Sequence, residues 1–205
     1  MKAGPVLSVL AAFISTVAAA NPKRGLIYIP NSQWPQDDAI WTQPKSVLSW
    51  YYTYNDRPNP QYSPPHSGLE FVPMMWGMGG NTSDNSFYNS IMQLKNNGVN
   101  IQHALSFNEP DMRSDWGGSD LTPVKAAQGY VANFIPLRRK GIKVGMPAVS
   151  GAGWGIQWLR DFRGNCTEIM VAKGLGSKCE YDFLPVHWYD NLGGLQSHIN
   201  EAANE

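Results

Sequence analysis

Charge is scarce in this chain: 16% of its 205 residues are Asp, Glu, Lys or Arg, and sixteen basic residues balance sixteen acidic ones. Such a chain offers no electrostatic grip on nucleic acid or on an anionic membrane, and neither is expected as a partner. Histidine is scarce too, at four, with no His-x-x-x-His pair or other close ligand cluster, so neither a metal nor a cofactor is expected. His66 lies in a Pro/Ser loop and His198 in the last helical segment, and both read as surface residues; His103 reads as a candidate for the inside of the fold. Gly-x-Ser-x-Gly, the elbow of a serine hydrolase, does not occur. The glycine-rich run Gly151-Ala152-Gly153-Trp154-Gly155-Ile156 ends on Ile where a dinucleotide fingerprint needs Gly, and reads as a loop between strand and helix. Arg138-Arg139-Lys140 is most simply a solvated helix end, where cations favour the dipole.

Cysteine is limited to Cys166 and Cys179. In an exported chain, as the N-terminal segment indicates, thiols oxidise, so the one possible pairing is expected as a disulfide that closes a short loop and contributes about 3 kcal/mol in the chain-entropy model; two free buried thiols are the alternative. Two glycosylation sequons occur, at Asn81-Thr82-Ser83 and Asn165-Cys166-Thr167, the second in competition with bridging of its own cysteine.

Long apolar runs are missing beyond residue 20. Before it, Met1-Lys2, an apolar stretch over 6–17 and Ala18-Ala19-Ala20 read as a secretory signal peptide with its cleavage site, shorter than a comfortable spanning helix. An uncleaved anchor is the competing reading. Residues 21–205 are then expected to form one exported, monomeric domain carrying fifteen basic and sixteen acidic residues once Lys2 is lost, a net charge of −1.

What the chain has in plenty is aromatic surface, with eight Trp and nine Tyr. Rings with few charges around them suit a neutral, hydroxyl-rich ligand such as a carbohydrate, whose C–H faces stack on them. The order of elements is strand then helix, repeated. Strands are predicted over 25–29, 47–52, 69–75, 101–107, 142–146 and 181–188. Helices are predicted over 86–97, 122–140, 154–162 and from about 195 to the last residue. Thr122 and Pro123 supply a helix start, and Gly98 and Gly141 supply stops. This alternation implies βαβ units and a parallel sheet. Residues 30–44 and 57–65 read as long irregular loops, a kind that compact domains usually keep for function.

Phe107-Asn108-Glu109-Pro110-Asp111 follows the fourth strand. It sets a carboxylic acid beside an amide at a strand end that proline stops, which suits a general acid at a barrel mouth; a surface turn is the plainer reading. Trp50-Tyr51-Tyr52, Trp76, Trp154 and His187-Trp188-Tyr189 also fall at or just after predicted strand ends, the face on which β/α barrels build their sites.

These pieces, together with Arg24-Gly25-Leu26, Phe71-Val72-Pro73-Met74-Met75-Trp76-Gly77, Val144-Gly145-Met146-Pro147-Ala148 and Asp182-Phe183-Leu184-Pro185-Val186-His187-Trp188-Tyr189, occur in the order found in a known family. The chain resembles glycoside hydrolase family 128, the Asl1-like fungal β-1,3-glucanases. The resemblance implies an α/β fold of the (β/α)8 TIM-barrel type. It also implies retaining hydrolysis of β-1,3-glucan of the fungal cell wall, with Glu109 as general acid/base. Asn108 would bind the 2-hydroxyl; Trp50, Trp76 and Trp188 would stack glucosyl units; Tyr52, His187 and Tyr189 would hydrogen-bond near the centre. The family's nucleophile is a Glu on the seventh strand in a Thr-Glu-Phe-like motif, and no such motif occurs here. Glu201 and Glu205 sit in a helical, small-residue segment and do not replace it. The expectation is therefore a barrel truncated after about six β/α units, a fragment inactive or nearly so, and a secreted, cell-wall-associated parent protein. A non-catalytic β-glucan-binding wall protein is the alternative.

Overall fold

A computed structural model describes residues 23–62 and 68–204. The leader, His66 and Glu205 lie outside the described residues. Strands β1 (Gly25–Ile27), β2 (Trp50–Tyr52) and β3 (Glu70–Phe71) form one parallel ladder, with Gly25 opposite Trp50 and Trp50 opposite Glu70. Strands β4 (His103–Ala104) and β5 (Lys143–Val144) form a second parallel pair. A parallel bridge between Met74 and Leu105 joins the two, backed by bonds from Leu105 N–H to the Pro73 carbonyl (2.9 Å) and from Met75 N–H to the Leu105 carbonyl (3.1 Å). A sixth extended segment pairs with β5 through Gly145 and Phe183. All six positions thus run parallel in chain order, the topology of a TIM-barrel-like α/β fold.

Alternation of side chains along these strands separates two apolar layers. On one face Tyr51, Phe71, Ala104, Phe107 and Val144 join the main core. On the other, Tyr52, Val72 and Met74 form a smaller cluster against Trp50, Tyr54 and Leu105. The main core is covered by α1 (Ser86–Asn96), α2 (Pro123–Arg139) and α3 (Gly155–Ala172), and α4 (Leu192–Ala203) follows the sixth segment. Helix α2 is the centre of this layer: Tyr130 stacks on Phe134 (centroids 4.9 Å apart) and meets Phe162 of α3 edge-on at 5.4 Å. Asn133 is the polar exception within it and is fully used. Its Nδ2 donates to the carbonyls of Asp84 (2.8 Å) and Gly129 (3.0 Å), and its Oδ1 accepts from Tyr88 N–H (3.1 Å), which removes the cost of burying an amide.

The helix signals read from the sequence act as expected. Thr122 Oγ1 accepts from Lys125 N–H with Pro123 at the first position, and Gly98 and Gly141, after α1 and α2, take left-handed φ of 88° and 82°. Four expectations need correction. Helix α3 runs ten residues past the predicted end at 162, because Ile156, Leu159, Phe162, Cys166 and Met170 form one continuous buried stripe. The sixth segment, predicted as a strand over 181–188, keeps a single bridge to β5, and Pro185, which has no N–H, cannot extend a ladder there. Helix α4 begins at Leu192 rather than near 195, since Asn191 Oδ1 caps Gly194 N–H at 2.8 Å. Finally, the loop 30–44 contains a 3₁₀ helix, Pro35–Thr42.

Cys166 and Cys179 are bonded, tying α3 to the loop that leads into the sixth segment, with Cα atoms 5.3 Å apart. Arg138 at the end of α2 reaches the same segment, pairing with Glu180 and Asp182 at 3.2 Å each. Among the described residues no helix is long and apolar enough to cross a membrane.

Candidate active site

Glu109 stands where β4 has just left the sheet. Its N–H donates to the Ala148 carbonyl beyond β5 (2.8 Å), its carbonyl accepts from Met112 N–H (3.0 Å), and its φ is 40°. A non-glycine residue in the left-handed region costs about 1–3 kcal/mol and is retained where surrounding bonds over-determine it, most often at functional sites. Here the bonds to 148 and 112 do so. Two residues on, Asp111 accepts from Ser150 N–H (2.9 Å) and from its hydroxyl, locking the loops after β4 and β5 together.

The Glu109 side chain is 15% exposed, and its Oε1 lies 2.9 Å from His187 Nδ1, whose side chain is 18% exposed. Seventy-eight residues separate the pair in sequence; β4 and the sixth segment flank β5 in parallel, which brings both residues to the same strand-end face. His187 in turn lines a cavity of about 740 Å³ on the inner face of the sheet, together with Trp50, Tyr52, Trp188, Tyr189 and Ser106. Burial, and then a hydrogen bond shared with Tyr54, hold the Tyr52 phenol well above its ordinary pKa, so it is a neutral donor at any working pH. The Tyr189 hydroxyl is also raised, by desolvation first and then by the Glu109 carboxylate and Tyr54, while its ring meets His187 edge-on at 6.5 Å.

The structure brings most of the anticipated residues together, at different depths. Trp50 is not at the rim: it is the first residue of β2, its ring lies over Gly25, where an added Cβ would fall 2.2 Å from the indole, and it stacks on Tyr52 at 6.4 Å. Tyr189 is at the opposite extreme, 89% exposed at the mouth. Trp188 is wedged between Gly151, Gly194 and the ring of His198 (5.3 Å, 29°), with its Nε1 donating to the Asn191 carbonyl. His198 is therefore a buried packing partner rather than the expected surface residue, 6% exposed, because α4 turns it onto Trp188. Asn108 is buried, and its Nδ2 donates to the Gly117 carbonyl at 3.3 Å. Trp76, 37% exposed, lines a different hollow, and Trp154 stands exposed at the start of α3. His103 pairs with Glu70 at 2.9 Å.

Asn81 is exposed in a turn, where its Oδ1 accepts from Ser83 N–H. Asn165 lies inside α3 beside bonded Cys166, its Nδ2 donating to the Asp161 carbonyl at 2.7 Å. One residue was missed in the sequence: Ser106, which lines the cavity and whose Oγ is buried beneath its surface without a protein partner. A serine inside an apolar strand three residues before a candidate acid was the available signal. Among the described residues no group of three His, Cys, Asp or Glu side chains could hold a metal.

A parallel sheet with its candidate acid and aromatic rings at the carboxyl ends of successive strands is the arrangement of β/α-barrel enzymes. The sequence pattern of the glycosyl hydrolase catalytic core family matches residues 25–205, and the chain belongs to that family, within glycoside hydrolase family 128. It is 28% identical over 190 residues to Alkali-sensitive linkage protein 1 of Schizosaccharomyces pombe, covering 91% of this chain and 30% of that one. Among solved structures it is similar to a family 128 subgroup III curdlan-specific exo-β-1,3-glucanase from Blastomyces gilchristii in complex with glucose. That match has 30% identity and a TM-score of 0.57, and covers 77% of this chain and 61% of that one. It is also similar to a subgroup II endo-β-1,3-glucanase from Sorangium cellulosum, at 26% identity with a TM-score of 0.61, covering 89% and 68%. The chain thus spans about a third of the first protein's length and about three fifths of the second's.

Proposed function

We propose that the protein carrying this chain is a retaining hydrolase of β-1,3-glucan in which Glu109 is the general acid/base. The observation that carries this reading is the Glu109–His187 pair beside the ring-lined cavity at the strand ends. In such a reaction the Glu109 carboxyl protonates the departing glycosidic oxygen, then takes a proton from the water that releases the sugar. His187 orients it: occupied through Oε1, the carboxyl group keeps Oε2 for the substrate. Tyr52 and Tyr189, held neutral, donate to sugar hydroxyls, and Trp188 offers an indole fixed by its packing.

Retention also requires a second carboxylate about 5–5.5 Å from the first. Among the described residues that line the cavity there is none, and Glu201 is exposed on α4. We infer that the nucleophile comes from sequence outside this chain, in keeping with the partial coverage of the solved glucanases. The same lack of a lining carboxylate favours a second reading, a β-glucan-binding wall protein without hydrolysis. We further propose export to the cell wall as a monomer, with Asn81 as the glycan acceptor. The leader-like first twenty residues and the Cys166–Cys179 bond support an oxidising destination.

Laminarin incubated with the whole protein and followed by proton NMR tests the reading. Release of oligosaccharides with the β configuration first is expected. Inverted product overturns the retaining mechanism, and tight binding with no release establishes the second reading.

A further inference from the structure

A groove of about 370 Å³ lies on the helical layer, and none of its lining residues lines the Trp188 cavity. Gln128 and Ala132 come from α2, Ile169 and Lys173 from the end of α3, and Thr82 and Ser83 from the turn before α1. Each helical pair is four residues apart, so both members share one face of their helix. Ala132 and Ile169 are half-buried, Ile169 packing against the main core, whereas Gln128 and Lys173 stand exposed. The groove therefore has an apolar base and a polar rim, and Lys173 is the one charged lining residue among those described.

Thr82 and Ser83 are also the last two residues of the Asn81-Thr82-Ser83 sequon. The acceptor is held in place: Asn81 Oδ1 accepts from Ser83 N–H (3.1 Å), its carbonyl accepts from Asp84 N–H (3.3 Å), and the Asp84 carbonyl accepts from Asn133 of α2 (2.8 Å). With Oδ1 so engaged, Nδ2, the atom that carries an N-linked glycan, makes no hydrogen bond among the described residues. Consecutive Cα atoms are about 3.8 Å apart and a pyranose ring is wider than that, so a first sugar on Nδ2 reaches the space that residues 82 and 83 bound. N-linked glycans begin with an N-acetylhexosamine. Its acetyl methyl and C–H face suit Ala132 and Ile169, and its hydroxyls and acetamide suit the Gln128 amide and the Lys173 ammonium.

We propose that the first sugar of an Asn81-linked glycan lies in this groove and ties the turn before α1 to α2 and α3, so that glycosylation stabilises the helical layer. The proposal rests on the reading of export with Asn81 as acceptor. The test uses the whole protein made through a fungal secretory pathway, with its glycans trimmed to the first sugar by an endoglycosidase and Asn81 occupancy read by peptide mass spectrometry. Gln128→Ala and Lys173→Ala are introduced together, both at exposed positions, in that protein and in a Ser83→Ala protein, which keeps Asn81 but cannot be glycosylated there. The double substitution is expected to lower Tm by about 2 °C more with the sugar present than without it. An equal change in both backgrounds overturns the groove as the sugar's seat and leaves Asn81 as the acceptor. An unmodified Asn81 in the secreted protein removes the acceptor reading and the proposal with it.

Discussion

Replacing Gly194 by Ala opposes two effects of known size. Gly194 is the third residue of α4, and Ala in place of Gly within a helix ordinarily stabilises it by up to about 1 kcal/mol. Here an added Cβ would sit 2.2 Å from Trp188 Cζ2, and the indole cannot swing away freely, because Gly151 closes its other edge and His198 stacks on it. Forcing a methyl into such a contact costs about 1–3 kcal/mol. The clash wins, by about 1 kcal/mol, a fall in Tm of about 2–4 °C for a chain of this size. Gly193→Ala is the internal control: its Cβ would meet nothing closer than Asn191 Oδ1 at 3.4 Å, so it gains helix propensity alone and raises Tm by a similar amount. Differential scanning fluorimetry reads the stabilities, and laminari-oligosaccharide titration reads the platform, which only Gly194→Ala should disturb. If both variants raise Tm equally and bind sugar equally, Trp188 does not lie on α4 as described, and its assignment as a fixed stacking surface is wrong.

Other outcomes follow from particular contacts. Ser106→Ala should change stability by less than about 1 kcal/mol in denaturant melts, because its buried hydroxyl has no protein partner to lose; a larger loss would mean that the hydroxyl makes a bond the fold depends on. Changing Cys166 and Cys179 to Ser together should cost about 3 kcal/mol in urea unfolding, and unchanged stability would mean the bond closes no loop that matters. Asn133→Ala should cost about 2–3 kcal/mol by the same measurement, since Tyr88 N–H and two carbonyls lose a buried partner at once.

How far the sequence reached can be judged residue by residue. Helix α2 was legible at both ends, and α1 at its C-terminal end, because the signals are local chemistry: Thr122, Pro123, Gly98 and Gly141 act within a few residues. The second half of α3 was not, because Gly164 and Thr167 dilute local propensity, and what continues the helix is burial of Cys166 and Met170 against distant residues. The sixth strand was overcalled because β-prone residues around Pro185 have no ladder to join. At the site, Glu109, His187 and Trp188 could be named from strand-end position and family pattern. The 2.9 Å contact, the inner depth of Trp50, the burial of His198 and the unpaired Oγ of Ser106 are tertiary facts, set by packing across residues far apart in the chain.

The account depends most on the carboxyl group of Glu109, and substituting it by Gln in the whole protein tests it directly. Gln keeps the size and a hydrogen bond to His187 but cannot deliver a proton. Laminarin hydrolysis should fall by about 10²-fold or more while Tm and oligosaccharide binding stay close to those of the parent. Hydrolysis at the parental rate would contradict the assignment and leave Glu109 as no more than a structural partner of His187.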